Sequence, residues 1–376
     1  MKKYAIISLK RKLPLFIVIS VIFILTAMTS VSSQEFIRTY NSYVPYYNFN
    51  TIDFGITAYL TMFGISMLVV PFFSMNYRYS LERSDTFRQA PFKDKRIRWV
   101  EHLTALIILL IAFTIGYLII VFGFMIKNAT VKVPRADLEN GIYYSKVNFH
   151  YIYYLPIYFI AIAMGTFQYF ITYALISRSN NFMSSFIMML LGELTLFLLP
   201  FFCVQFFYQH YGEASGILMY GPAFSIIPIF ISNAFNSLVV EGYSTINAEY
   251  AYQFIINLVV YVLAASAGIV AFFLERDPSS EFAGRGNTQR PYQEIIYHVG
   301  AVTIMSCAMI LVENVIGLFF FFGFMVSMYY VFYGVLTRNF RINLKRLIIF
   351  GIVLGLVIIL GMVVPFLKHP GSYSII

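Results

Sequence analysis

Runs of about 20 mostly apolar residues recur from one end of this chain to the other, each long enough to cross a bilayer as a helix. No other feature constrains the fold as much. Lipid offers no hydrogen-bond partners, so a spanning segment must satisfy its own backbone, which a helix does. The runs are Leu13–Val31, Gly55–Met75, Leu103–Ile126, Tyr153–Ile176, Phe182–Phe207, Tyr252–Leu274, Ile296–Val312, Ile316–Leu336 and Leu347–Leu367. They predict an all-α fold, a polytopic transmembrane helix bundle of about nine spans. Composition agrees: 60% of the 376 residues are hydrophobic and 11% are charged. A soluble domain carries about 25% charged residues, and this chain could not cover its own surface in water. No soluble domain, internal repeat or low-complexity linker breaks the series, so residues 1–376 read as a single membrane domain.

A tenth apolar stretch, Ile217–Val240, is harder to place. It contains Gly221, Pro222 and Pro228 among Ser225, Ser232, Asn233 and Asn236. Proline removes a backbone donor, and these polar side chains prefer water or protein to lipid. Loop charges decide its role. Lys and Arg concentrate on the cytoplasmic side of membrane proteins. Four basic regions stand out: the N-terminus, the loop at 76–102, the loop at 275–295 and the Arg338–Arg346 stretch. If all four are cytoplasmic, an even number of crossings separates each from the next. Counting Ile217–Val240 as a crossing breaks that parity, so it is expected to be re-entrant or to lie at the outer surface, within an outer region at 208–251. The first span follows Lys2, Lys3, Lys10, Arg11 and Lys12, a pattern shared with signal peptides. The many later spans favour a helix that stays attached. The expected topology is a multi-pass cell-membrane protein, N-terminus cytoplasmic and C-terminus outside. Tyr43, Tyr46, Tyr47, Tyr151, Tyr153 and Tyr154 suit an aromatic belt at the outer interface.

The net charge of +9 therefore reads as topology. Membrane lipid is the expected partner and nucleic acid is not. Cys203 and Cys307 fall inside apolar runs and read as small buried hydrophobes. The five histidines are scattered, none at ligand spacing to another, so no metal site is expected and they read as interfacial or loop residues. There is no phosphate-binding GxxxxGK[ST] loop, no GxSxG elbow and no HExxH pair. The chain is not expected to be an enzyme or to bind a cofactor itself. Glu193 lies within the fifth run, and an acid at membrane depth suggests a substrate path or a packing pair.

The most informative loop reads DTFRQAPFKDKRIRWVEHL from Asp85 to Leu103. A polar lead, a proline and a basic cluster precede the third span. Pro91 suits the first turn of a helix and Asp94 places an acid early in that turn. A short helix lying flat at the membrane surface is one outcome; a basic loop that only fixes topology is the other. The loop resembles the coupling segment of ABC-2 type transporter permeases, with Ala90 where that family usually has Leu. A second loop, LERDPSSEFAGRG from Leu274 to Gly286, is similar to the Arg…Glu-x-Ala-Gly stretch of such permeases from Gram-positive bacteria.

The resemblance implies a permease subunit of an ABC transporter that moves a peptide, antibiotic or lipid-like compound. It implies ABC ATP-binding subunits as partners, holding ATP and magnesium, and a second permease subunit, identical or related. Coupling to the ATPase would fall to Thr86, Phe87, Ala90, Pro91, Lys95 and Arg96 in one loop, and to Arg276, Glu281, Ala283 and Gly284 in the other. Two other classes remain open. A membrane-embedded lipid- or glycan-modifying enzyme would use residues such as Asp53, His150, His210 and Glu241, which are dispersed over several loops. An ion-coupled carrier would show paired broken helices, and only Ile217–Val240 hints at one.

Overall fold

The computed structural model describes residues 2–32, 38–39, 48–49, 53–76, 79, 94–130, 133–137, 141–145, 154–177, 179, 181–207, 248–274, 290–311, 315–337, 340–341 and 344–360. Among them are nine helices: α1 (Lys2–Ser32), α2 (Asp53–Ser74), α3 (Asp94–Thr130), α4 (Tyr154–Ile176), α5 (Phe182–Phe207), α6 (Ala248–Leu274), α7 (Arg290–Leu311), α8 (Val315–Thr337) and α9 (Leu344–Ile358). The helical class read from the sequence is what these residues show.

Two small antiparallel ladders are additions. Strands β1 (Arg38–Thr39) and β2 (Asn48–Phe49) pair between α1 and α2. Strands β3 (Val133–Asp137) and β4 (Gly141–Ser145) pair between α3 and α4, with Val133 opposite Ser145 and Asp137 opposite Gly141. A second difference concerns the stretch after Pro91. From Asp94 onward the chain is not a separate surface helix; it is the start of α3, unbroken for 37 residues. Residues 94–103 contain no Gly or Pro to interrupt a helix. The segment Ile217–Val240 lies outside the described residues.

Three helical stretches are long and apolar enough to cross a membrane: Tyr4–Ser32, Arg96–Ile126 and Ile157–Ile176. Five shorter apolar helices accompany them among the described residues. Exposure supports the same environment. Along α3, Leu103, Ile107, Ile111, Ile115, Leu118 and Phe122 are all exposed, one helical face of large apolar side chains. Water would not tolerate so long an apolar face, whereas lipid solvates it. The three long helices point to a membrane-embedded protein.

The chain divides into two units, and the divisions fall within helices. The first unit holds α1, α2 to Val70, α3 from Trp99 and α4 to Tyr169. There α1 buries the stripe Ser8, Lys12, Ile19, Phe23, Ala27 and Ser30. Lys12 meets Glu101, Phe23 meets Phe113, and a Cβ on Gly123 would lie 2.7 Å from Val31. Both helices advance together, so α1 and α3 run parallel. By contrast His102 pairs with Tyr169, Thr114 with Tyr158 and Tyr117 with Tyr154, so α4 runs antiparallel to α3. An aromatic core fills the middle. Phe63 stacks on Phe113 at 3.9 Å between centroids, and the Tyr59 hydroxyl donates to the Phe113 carbonyl oxygen at 2.5 Å. Gly165 exists for this core, because a Cβ there would enter the Phe63 ring.

The second unit holds α2 from Pro71, α3 to Arg98, α4 from Phe170, and α5 to α9. Within it α5 folds back on the end of α4, with Glu193 beside Thr172 and Gly192 against Leu175. Helix α6 advances with the end of α4: Gly268 lies against the Phe170 carbonyl, and Phe272 packs on Phe170 and Tyr173. Thus α5 and α6 run in opposite senses, and the chain leaves α5 and enters α6 at the same end of this unit. Helix α7 follows α5, since Gly300 meets Thr195 and Cys307 meets the Leu198 carbonyl. Its core with α8 and α9 is built on Met188, Tyr297, Met305, Tyr329 and Val357.

Candidate functional site

The two loops that carry the permease-like motifs have described residues at their roots. In the second unit Arg98 lies four residues into α3 and is fully buried. Its guanidinium donates to the Phe272 carbonyl oxygen at 3.2 Å, near the end of α6. The last four carbonyls of a helix lack partners within it, and the helix dipole makes that end attractive to a cation. Arg98 therefore fits this place for a definite reason. The contact joins the point where the first loop becomes α3 to the point where α6 gives way to the second loop. Arg96, two residues earlier, is exposed, and Lys95 stands in the first turn of α3. Thr86, Phe87, Ala90 and Pro91 lie outside the described residues, as do Arg276, Glu281, Ala283 and Gly284.

Glu193 sits in α5 with 4% of its surface exposed. The Thr172 hydroxyl donates to its Oε1 at 3.0 Å. The acid anticipated inside a span is thus buried between two helices of a hairpin and hydrogen-bonded across it. Of the residues considered for an enzyme, Asp53 opens α2, while His150, His210 and Glu241 lie outside the described residues. No group of His, Cys, Asp or Glu among the described residues could hold a metal ion.

The first unit contains a polar constellation that the sequence reading did not single out. Glu101 is 1% exposed. Its Oε1 accepts from Arg11 at 2.7 Å and from the Tyr4 hydroxyl at 2.9 Å, and its Oε2 meets Lys12 Nζ at 2.8 Å. Lys12 also donates to the Glu101 carbonyl oxygen and, at 3.1 Å, to Thr104 Oγ1. One carboxylate thus gathers two cations and a phenol from α1. Beside it His102 is buried inside α3 rather than in a loop, and its Nδ1 bonds the Tyr169 hydroxyl at 2.9 Å. The signal was present in the spacing. Ser8 and Lys12 share one face of α1, and Glu101 and Thr104 share one face of α3. What the sequence lacks is the pairing of those faces.

No family model, curated protein or solved structure matches this chain. Its likeness to ABC-2 permeases accordingly rests on the residues of the two loops. The geometry offers a mechanical junction and two buried polar ties between helices.

Proposed function

We propose that this chain is the membrane subunit of an ABC-2 type exporter. It moves an amphipathic substrate (a peptide, an antibiotic or a lipid-like compound) across the cytoplasmic membrane. The single observation that supports this most is the Arg98–Phe272 hydrogen bond. A permease must receive the closing motion of its ATPase on cytoplasmic loops and pass it to spans. A rigid tie between the roots of both loops makes α3 and α6 answer together. ATP and magnesium belong to the partner ATPase, and a second permease subunit completes the substrate path. Topology in this reading places the N-terminus and both loops in the cytoplasm. The chain crosses about nine times, and 208–247 returns to the outer side. Glu193 lies on or near the substrate path.

The test is recovery of the partner. The full-length chain is purified from its native membrane in mild detergent, and co-purifying proteins are identified. An ATP-binding cassette ATPase is expected. The double variant Lys95→Glu/Arg96→Glu should reach the membrane at normal abundance and lose that ATPase. Absence of any such ATPase from the wild-type preparation overturns the proposal, and so does its full retention by the charge-reversed variant.

A further inference from the structure

Near one end of α7, α8 and α9 lies a concave space of about 590 Å³, counting the part open to its surroundings. Its walls are largely aromatic. His298 comes from α7, Tyr329, Tyr330 and Tyr333 from the last turns of α8, and Arg346 and Phe350 from the first turns of α9. The rings brace one another. Tyr329 stacks on Tyr297 at 5.2 Å and on Phe350 at 5.3 Å. The chain before α9 is pinned as well, because the Tyr330 hydroxyl donates to the Phe340 carbonyl oxygen at 2.5 Å. These contacts hold the walls in place.

The polar groups are few, and their charge is of one sign. Among the described residues that line the space, Arg346 is the charged side chain and none is an acid. Its guanidinium sits 5.3 Å above the Tyr333 ring and donates to the Arg341 carbonyl oxygen at 3.1 Å. Arg341, just before α9, and Lys345, in its first turn, are both exposed and add positive charge. Glu294 stands one turn before His298 on α7 and is the nearest acid on that helix. His298 Nδ1 bonds the Tyr329 hydroxyl at 2.6 Å, while its Nε2 is buried with no hydrogen-bond partner among the described residues. When the tyrosine donates to Nδ1, Nε2 carries the hydrogen, a donor that no described residue accepts.

Apolar surface borders this polar end. Leu344, Leu347, Ile348 and Ile352 of α9 are exposed, as is Val331 of α8. A ligand with an anionic head and apolar tails satisfies both parts at once. Arginine is the side chain best shaped for a phosphate, and basic clusters at a membrane surface attract anionic headgroups. Tyrosine rings suit the junction between headgroup and tail.

We infer that the aromatic pocket formed by α7, α8 and α9 binds the phosphodiester headgroup of an anionic phospholipid, held by Arg346 and His298. The tails lie along the exposed faces of α8 and α9. This site is independent of the coupling role proposed for the loops.

The test uses the purified full-length protein in detergent, titrated separately with phosphatidylglycerol, phosphatidylcholine and inorganic phosphate. Thermal stability and native mass spectrometry are the readouts. Phosphatidylglycerol should raise the melting temperature and remain bound in the spectrometer, and phosphatidylcholine should do neither. Arg346→Gln should weaken phosphatidylglycerol by about tenfold or more, the cost of a lost charged hydrogen bond. Arg341→Gln, outside the lining, should weaken it much less. If Arg346→Gln fails to fold, His298→Phe serves, with a smaller loss expected. Equal binding of phosphatidylglycerol and phosphatidylcholine overturns the inference. So does equal loss in the two arginine variants, or unchanged binding in His298→Phe. An equal effect of inorganic phosphate reassigns the site to a soluble anion and overturns the lipid claim.

Discussion

Glu101 shows how much a single residue can hold. It is buried, and its two carboxylate oxygens meet Arg11, Tyr4 and Lys12 at 2.7–2.9 Å. A buried ion pair need not be more stable than apolar residues of the same size. Removing only one of its partners, however, costs about 3–5 kcal/mol, because the other charge is left uncompensated. Glu101→Gln should therefore lower the melting temperature of the detergent-solubilised protein strongly. Adding Lys12→Met to Glu101→Gln should recover a large part of the loss, since the stranded cation is gone. If the double variant is no more stable than the single one, the pair is not what holds these residues. At Arg98 the expected cost is smaller. Arg98→Leu keeps the bulk but removes a charged hydrogen bond worth about 1.5–3 kcal/mol, and stability should fall accordingly. Neither role could be read from the sequence. Glu101 and Arg98 look there like members of a basic loop, because their partners are 89 residues away and 174 residues away.

Elements were the most legible part. Among the described residues the apolar runs fold as helices, because lipid-compatible segments have few alternatives. Their boundaries were less legible, and α3 shows why. Its first turns are charged, so hydropathy places the start near Leu103, yet nothing between Asp94 and Leu103 breaks a helix. Ladders such as β3 with β4 gave no hydropathy signal, since five-residue strands outside the apolar runs have none. Helix packing can be tested at two glycines. A Cβ on Gly268 would press on the backbone carbonyl of Phe170, which cannot swing aside as a side chain can. Small residues at such crossings let backbones approach closely. Gly268→Ala should cost about 1–3 kcal/mol, read as a lower melting temperature, and Gly268→Leu more. The parallel sense of α1 and α3 has its own test at Gly123, whose Cβ would lie 3.3 Å from the Val31 Cβ. With Cys203→Ser and Cys307→Ser as background, Val31→Cys/Gly123→Cys should form a disulfide on mild oxidation. An absent cross-link, with Lys12→Cys/Gly123→Cys linking instead, would reverse the assigned direction.

For the whole molecule, loop charge and the helix directions of the second unit meet at one point. Charge parity asks Ile217–Val240 not to cross, and α5 with α6 run in opposite senses, so the chain begins and ends 208–247 at the same end of that unit. Single cysteines at Gly212 and Glu241 should both react with an impermeant thiol reagent added outside intact cells. A cysteine at Arg285 should react only after permeabilisation. Labelling of Gly212 and Glu241 from opposite sides would add a crossing and undo the topology.

The α1–α3 clamp has a bearing on how the protein is made. Arg11 and Lys12 leave the ribosome long before Glu101 does, 89 residues separating Lys12 from its carboxylate. In the proposed topology they are, during that interval, among the cations that hold the start of the first helix on the cytoplasmic side. Only when the third helix arrives do they become structural: Lys12 is buried against Glu101, and half-exposed Arg11 reaches the same acid. In that topology the same two side chains orient the nascent chain and later tie α1 to α3. An early helix waits for a partner that lies two helices later in the chain.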